Sequence, residues 1–170
     1  MYHCSARTTE PSRIRIIDRA ELEAVLQAGL VEPKVVDEDM RVILRRGHPA
    51  LKKRLTAKDY AALDHVLVTP RGLPGGSADN ALAPLGLARR VVLRMPHFAA
   101  AALVVAQTDL VVTLPAGFAE HMARRLGLEA VPVPFEMRGF TFSIAYSASY
   151  ADDAGHRWFR ERVVAAGRGR

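Results

Sequence analysis

Three polar side chains follow short apolar stretches of the sequence, and their positions are the ones that could support binding chemistry. Thr69 ends the stretch HVLVT, His97 follows VVLRMP, and Thr113 ends TDLVVT. Such stretches are typical of buried strands. In open α/β sheets, ligands bind outside the carboxyl ends of the strands. Helix starts at that edge present unpaired N–H groups, which favour carboxylates and phosphates.

These side chains also have a purely structural interpretation. His97 can hydrogen-bond a neighbouring carbonyl, and Thr69 and Thr113 can cap backbone groups. Phe98, next to His97, is of a residue type found more often in a core than against a ligand ring. Pro115 fits the first turn of a helix, where its missing N–H costs nothing. The residues alone leave both interpretations open.

Motifs of common catalytic and metal sites are absent from the sequence. It contains no G-x-S-x-G, P-loop, G-x-G-x-x-G or H-E-x-x-H pattern. The six histidines are widely separated, and Cys4 is the one cysteine, which excludes an internal disulfide and a cysteine-built zinc site. We therefore expect no enzymatic activity, no catalytic residue, no metal site and no cofactor.

The composition is that of a globular protein, because 49% of the 170 residues are hydrophobic and 25% are charged. No apolar run reaches the roughly 20 residues that span a bilayer, so no membrane association is expected. The start, MYHCSARTTEPSR, lacks the apolar core of a secretory signal. A cytoplasmic location is expected.

The net charge of +6 raises the question of nucleic-acid binding. The arginine pairs 45–46, 89–90 and 124–125 are spread along the chain, and a further basic stretch is GRGR (167–170). There is no long basic run with interleaved aromatic residues. We interpret the charge as solvated surface and a mobile basic tail, with weak, salt-sensitive anion contact as the alternative. No direct DNA binding is expected.

Hydrophobic periodicity predicts strands that alternate with helices, which indicates an α/β domain with a largely parallel sheet. The predicted strands are RIRIID (13–18), VVDEDMRVILRRG, HVLVT, VVLRM, DLVVTL, VPVPF and FTFSIAY. A helix is expected over 19–28, and Thr56 and Ser77 are expected to cap the two helices that follow them.

Aromatic residues near the carboxyl end of the sequence are predicted to be buried. Phe140, Phe142 and Ile144 alternate as the inward face of a strand would. Trp158 and Phe159 are expected to anchor the last helix.

Several motifs together resemble the effector-binding domain of LysR-type transcriptional regulators. They are HPAL, LTAKDYAALDHVLVTPRG, ADNALAPLGLARRVVLRMPHF, TDLVVTLPAGFAEHMARRLGL and DDAGHRWFRERV, within residues 13–166. They look closest to the branch that responds to small aromatic acids. The resemblance implies a type 2 periplasmic-binding-protein-like fold, in which two α/β lobes are joined by crossing strands around an effector cleft. It also implies that Thr69, His97 and Phe98 line this cleft, with Thr113 and Pro115 on the same edge.

The resemblance also implies a division of the chain. The expected parts are a disordered N-terminus (1–12), an incomplete first lobe (13–68 and 139–166), a second lobe (69–138) and a basic tail (167–170). HVLVT would lead into the second lobe and FTFSIAY back out of it. Neither the winged helix-turn-helix of the family nor the first strand and helix of lobe one is recognisable, so a truncated first lobe is expected.

The function implied is a small-molecule effector-binding domain without its own DNA-binding domain. Its partners would be a small anionic or aromatic effector and a second subunit, either a copy of itself or a full-length regulator. Helices 19–28 and 99–107 are the candidate dimer surface. The alternatives are a non-functional truncated regulator, or a binding protein or enzyme on the same fold.

Overall fold

The computed structural model describes residues 30–31, 34–70 and 72–168, and the strand and helix predicted over 13–28 lie outside them. Nine strands and five α-helices occur in the described part of the chain. The strands are β1 (Leu30–Val31), β2 (Lys34–Glu38), β3 (Met40–Arg45), β4 (Asp64–Val68), β5 (Arg90–Met95), β6 (Val111–Pro115), β7 (Leu128–Pro132), β8 (Phe140–Ser143) and β9 (Tyr146–Ser147). The helices are α1 (Ala57–Ala61), α2 (Ser77–Leu82), α3 (Phe98–Ala106), α4 (Ala116–Leu126) and α5 (Ala154–Arg168).

A five-stranded sheet with the order β5-β4-β6-β3-β7 forms the centre of the fold. Strand β4 pairs in parallel with β5 and β6, whereas β3 pairs antiparallel with β6 and β7. The predicted α/β class is confirmed. Four of its five strands run in one direction, as predicted, but β3 runs against them, so the sheet is mixed.

Side chains alternate across this sheet and build a core on each face. On one face, Val112 and Leu114 of β6 pack with Ile43 and with helices α3 and α4. On the other face, Val111 lies in a second cluster with Tyr60 and Leu82 of α1 and α2, respectively. Because both faces are covered, β4 and β6 are nearly continuous apolar runs, as is typical of central strands.

The resemblance implied that HVLVT, now β4, would lead from the first lobe into the second, and the structure contradicts this. Residues 40–68 contribute β3 and β4 to the same sheet as residues 90–132, so the expected boundary at residue 69 does not divide the sheets. The stretch VVDEDMRVILRRG also forms two strands in different sheets. Strand β2 pairs antiparallel with β8 in a separate ribbon, in which Glu38 is opposite Phe140. This ribbon, rather than β4, carries the chain to and from the five-stranded sheet.

One of the two predicted helix caps is confirmed. The Thr56 hydroxyl accepts a hydrogen bond from the Asp59 N–H (3.2 Å), and the Asp59 carboxylate accepts one from the Thr56 N–H (3.1 Å). The prediction for Ser77 is wrong, because α2 already begins there and Gly76 is its N-cap. The Asp79 carboxylate accepts the Gly76 N–H (2.6 Å) and so closes this helix start instead.

The aromatic side chains of β8 and α5 are not buried as predicted. Phe140 and Phe142 are 40% and 47% exposed, and Trp158 is 63% exposed. Among the described residues β8 pairs with β2 alone, and this two-stranded ribbon lacks the cover on both faces that the core strands have. Helix α5 is instead anchored by the buried Arg160, whose guanidinium carbon lies 4.0 Å from the centre of the Tyr146 ring.

Candidate functional site

The carboxyl ends of β4, β5 and β6 meet at one edge of the five-stranded sheet, which we call the carboxyl edge. Thr69 follows β4, His97 follows β5, and Pro115 ends β6. The Thr69 N–H donates to the carbonyl of Met95 (2.9 Å), and the register of β4 against β6, continued by three residues, sets Thr69 level with Pro115. The structure therefore brings Thr69, His97 and Pro115 to the same edge.

His97 is the N-cap residue of α3. Its carbonyl oxygen accepts the Ala101 N–H (3.1 Å), but its imidazole makes no capping hydrogen bond, and the first turn contains no acidic residue. His97, Phe98 and Ala99 are all exposed. The start of α3 therefore presents its backbone N–H groups and an imidazole to the surface.

Phe98 belongs to an aromatic pair between two helix starts. Its ring centre is 5.8 Å from that of Phe118 in α4, at an interplanar angle of 49°, and Phe98 is 40% exposed. This spacing is within the range of favourable aromatic pairs. An apolar ring surface thus lies directly beside the imidazole and the open start of α3.

Thr69 already uses its hydroxyl hydrogen within the loop that follows β4. The hydroxyl donates to the carbonyl of Leu73 (3.2 Å), and the Gly72 N–H donates to the carbonyl of Thr69 (3.0 Å). The loop therefore folds back over the end of β4. Thr69 can donate to a ligand only if it releases Leu73.

Thr113 is not placed beside His97. It shares a sheet face with Val111, opposite the face covered by α3, and its Oγ1 lies 2.7 Å from the hydroxyl of Tyr60. Pro115 is buried as the last residue of β6 and as the N-cap of α4, one residue before the first helical turn in which it was predicted. Thr113 therefore uses its hydroxyl on the sheet face that α1 and α2 cover, and not beside His97.

Tyr60 connects Thr113 to a buried ion pair that sequence reasoning missed. Arg89 Nη1 lies 3.4 Å from the Tyr60 hydroxyl, and Arg89 makes a bidentate contact with Asp79, with both distances 2.8 Å. The hydrogen bonds from Arg89 hold the pKa of Asp79 below its usual value, and burial raises the pKa of Tyr60. Nothing in the sequence singles out these three residues, because they are separated by 10 to 29 positions.

The start of α4 is occupied by groups from the chain itself. Gly117 donates its N–H to Oε2 of Glu38 (3.0 Å), and Ala116 donates to the carbonyl of Asp39 (2.8 Å). Glu38 is 5% exposed. This cap was also missed, although an acidic run just before β3 is visible in the sequence.

A cavity of about 530 Å³ lies beside this cap, and four carboxylates are among its lining groups. These belong to Asp37, Glu38, Asp39 and Glu120. Lys34 also lines the cavity and pairs with Asp37, so the lining carries a net negative charge, which disfavours anions. The two helix starts near the carboxyl edge therefore differ, since that of α4 is filled and acidic and that of α3 is open.

The described residues offer neither a cluster of metal ligands nor a membrane-spanning helix. No group of three or more His, Cys, Asp and Glu side chains in this part of the chain could hold a metal ion. No helix within it is long and apolar enough to cross a membrane.

The LysR substrate binding domain family matches residues 18–168. The transcriptional activator NagR of Ralstonia sp is 30% identical over 139 residues, covering 82% of this chain and 46% of NagR. The regulatory domain of MexT from Pseudomonas aeruginosa superimposes with a TM-score of 0.71 at 31% identity, covering 81% of this chain and 66% of that domain. The effector-binding domain of QuiR, solved in complex with shikimate, superimposes with a TM-score of 0.63 at 11% identity, covering 83% of this chain and 66% of that domain. At this identity the likeness shows the fold alone.

The chain spans about half the length of the curated relatives that it matches. The match to the family covers most of the chain, including the whole five-stranded sheet and the carboxyl edge. The protein belongs to the LysR substrate-binding domain family, and its fold is that of the effector-binding domain of a LysR-type transcriptional regulator.

Proposed function

We propose that the carboxyl edge binds the effector and that this effector is a small carboxylate with an aromatic ring. The observation that supports the proposal most directly is the open start of α3, where the His97 imidazole, uncapped N–H groups and the exposed ring of Phe98 lie together. The helix start and imidazole suit a carboxylate. The Phe98 and Phe118 rings suit a flat apolar group.

The start of α4 is the other helix start near the carboxyl edge, and it is a poor site for an anionic ligand. Glu38 already neutralises it, and the neighbouring carboxylates disfavour a second anion. An anionic ligand is therefore expected at α3. In the proposed site His97 and Phe98 contact the ligand, Thr69 contacts it after releasing Leu73, and Pro115 shapes the edge.

Thr113 has an indirect role in this proposal. Its hydroxyl holds β6 against Tyr60 and thereby positions Pro115, two residues further on. QuiR, whose bound shikimate is a cyclic carboxylate, provides a precedent for this ligand class on the same fold. The precedent concerns only the class of ligand that this fold can bind, because the two sequences are 11% identical.

The experiment is thermal unfolding of the chain with matched small acids. Benzoate, cyclohexanecarboxylate and benzamide separate the contributions of the ring and of the charge. A ligand at about 100 times its dissociation constant adds about 2.7 kcal/mol to stability. We expect benzoate-type acids to raise Tm more than either analogue.

Two histidine variants give the matched comparison. His97→Ala is expected to abolish the benzoate shift, whereas His121→Ala, at an exposed position of α4, is expected to retain it. A shift of equal size in both variants contradicts the proposed site. A broad transition that none of the acids moves favours a non-functional fragment instead.

We also propose that the domain is cytoplasmic. We propose further that it associates with a second subunit, either a copy of itself or a full-length regulator. Helix α3 is apolar around its circumference, with Leu103 55% exposed, and β5 is a sheet edge with Val92 47% exposed. Exposed apolar groups beside an open strand edge favour association. Sedimentation should show a dimer that Leu103→Asp dissociates, and a monomeric wild type at micromolar concentration would contradict this.

A further inference from the structure

The fold gathers basic residues that are far apart in the sequence. Residues 45–46 lie where β3 ends, residues 89–90 lie where β5 begins, and residues 124–125 lie in the last turn of α4. Strand β3 is antiparallel to β6, and so its end lies where the parallel strands begin. Helix α4 returns the chain to that same end before β7, whose Leu128 is opposite Arg45. We call this end, opposite the carboxyl edge, the amino edge.

The connection from β3 to β4 adds further cations to the amino edge. Lys52, Arg54 and Lys58 lie in this connection, and all three are exposed. His48 fixes the connection to the sheet, because its Nε2 lies 3.0 Å from the carbonyl oxygen of Asp109, just before β6.

The carboxylates of the amino edge already have cationic partners. Asp59 pairs with Lys53, Asp64 with Arg90, Asp109 with Arg45, and Glu129 with Arg46, at distances of 2.8, 2.5, 2.6 and 3.7 Å. The Asp64–Arg90 contact is an ion pair without hydrogen-bond geometry. These acids therefore do not balance the remaining cations.

Five exposed cations remain at the amino edge without an ion pair to any described residue. They are Lys52, Arg54, Lys58, Arg124 and Arg125. The negative end of the α4 dipole favours Arg124 and Arg125, but half a unit of charge does not neutralise two guanidinium groups. The amino edge is a concentration of positive charge.

The sequence led us to expect no direct DNA binding, because its basic residues are dispersed along the chain, but the fold brings them together. We propose that the amino edge binds the phosphate backbone of duplex DNA, without reading its sequence. Several cations spread over one end of a rigid sheet fit a polyanion, and phosphate contacts of this kind position a protein without specifying bases. The choice of DNA over an acidic protein rests on the proposed regulatory function. Because the carboxyl edge is at the opposite end of the sheet, effector and DNA can be bound together.

The test compares two double variants of the full chain that change its net charge equally. Arg124→Glu with Arg125→Glu alters the amino edge. Arg94→Glu with Arg138→Glu alters exposed positions near the carboxyl edge, at the end of β5 and just before β8. Unchanged thermal unfolding and circular dichroism would establish that each variant is folded.

Binding of a mixed-sequence duplex is followed by fluorescence anisotropy at several salt concentrations. Five phosphate contacts predict a slope of about 4.5 for log Kd against log salt concentration. The Arg124/Arg125 variant is expected to bind at least about tenfold more weakly and to lower the slope by about 2, whereas the control is expected to change Kd less than about threefold.

Three results would overturn the proposal. One is the absence of duplex binding at low salt. Another is equal weakening by both double variants, which would show dependence on net charge alone. The third is binding of poly-glutamate as tightly as the duplex, which would assign the surface to acidic proteins. None of these results depends on whether benzoate binds at the carboxyl edge.

Discussion

The hydroxyl oxygens of Tyr60 and Thr113 lie 2.7 Å apart, although 53 residues separate them in the chain. This contact joins α1 to the central strand β6 across the sheet face that α1 covers. Tyr60 is fully buried, so its hydroxyl depends on protein partners. Thr113, which the sequence suggested as a ligand contact, is therefore a structural anchor of the strand that ends at the carboxyl edge.

Removing either hydroxyl should reduce stability by a similar amount. Tyr60→Phe and Thr113→Val are each expected to lower the free energy of unfolding by about 1 kcal/mol, and the coupling energy is expected to be of that order. Urea denaturation of the two single variants and the double variant measures it. Thr113→Ser keeps the hydroxyl and is the control. Strict additivity of the two single effects would show that the hydrogen bond contributes nothing.

Arg89 and Arg90 are adjacent in the sequence but should respond very differently to substitution. The Arg89 side chain is 3% exposed and paired with Asp79, whereas that of Arg90 is 71% exposed. Arg89→Met is expected to lower the free energy of unfolding by about 2 to 3 kcal/mol, because it leaves Asp79 charged and only partly solvated. Arg90→Met should change it by less than about 0.5 kcal/mol.

Neutralising Asp79 should recover part of the stability lost in Arg89→Met. In the double variant with Asp79→Asn, the amide oxygen can still accept the Gly76 N–H, and no charge remains without a partner. Denaturation midpoints of the single and double variants provide the comparison. If the double variant is less stable than Arg89→Met, the unpaired carboxylate is not the source of the loss.

His65 should make stability depend on pH below neutrality. Its ring is fully buried, Nε2 donates to the carbonyl of Tyr60 (2.8 Å), and burial lowers its pKa from 6.5 to about 4. The unfolded state therefore binds the proton first. The stability associated with the neutral ring is complete above about pH 6.5 and is lost as pH falls towards 4, by about 3 kcal/mol in all.

The contribution of His65 can be separated from those of the carboxylates by difference. His65→Gln can retain a donor to Tyr60 but does not titrate. The free energy of unfolding, measured between pH 4 and 7, should fall less steeply in this variant than in the wild type. Parallel pH profiles would show that His65 is not the titrating group.

Gly139 should be intolerant of a side chain. A Cβ at this position would collide with the carbonyl oxygen of Glu38, which belongs to the paired strand β2. Gly139→Ala is expected to lower the free energy of unfolding by about 1 to 3 kcal/mol, because backbone must move to accept the methyl group.

Gly155 provides the matched control for this substitution. A Cβ there meets Asp153 at 3.5 Å, an ordinary contact, and its position in α5 favours alanine. Gly155→Ala is expected to leave Tm unchanged or raise it. Equal Tm values for the two alanine variants would argue against a close approach at Gly139.

The elements that could be predicted from the sequence are those with a local signal. The stretch HVLVT has the apolar run VLV at its centre and coincides with β4 up to Val68, and Thr56 with Asp59 forms the expected capping box. The position of His97 at a strand-to-helix junction follows from the same local pattern.

The features that could not be predicted depend on contacts between distant residues. Nothing near Arg45 indicates that β3 enters the sheet between β6 and β7. The alternation of Phe140 and Phe142 predicts a strand correctly, but their burial depends on which elements cover it. The Glu38 cap joins residues 79 positions apart, so no local pattern reveals it.

All five strands of the central sheet come from one uninterrupted stretch, residues 40–132, and its last strand pairs with its first. During synthesis the sheet can therefore close as soon as β7 is available, before β8 and α5 have been made. A fragment spanning residues 38–138, which retains the Glu38 cap of α4, is expected to fold by itself. The ribbon of β2 and β8 then pairs after the sheet has closed, and its contribution to the closed sheet is the Glu38 carboxylate that caps α4.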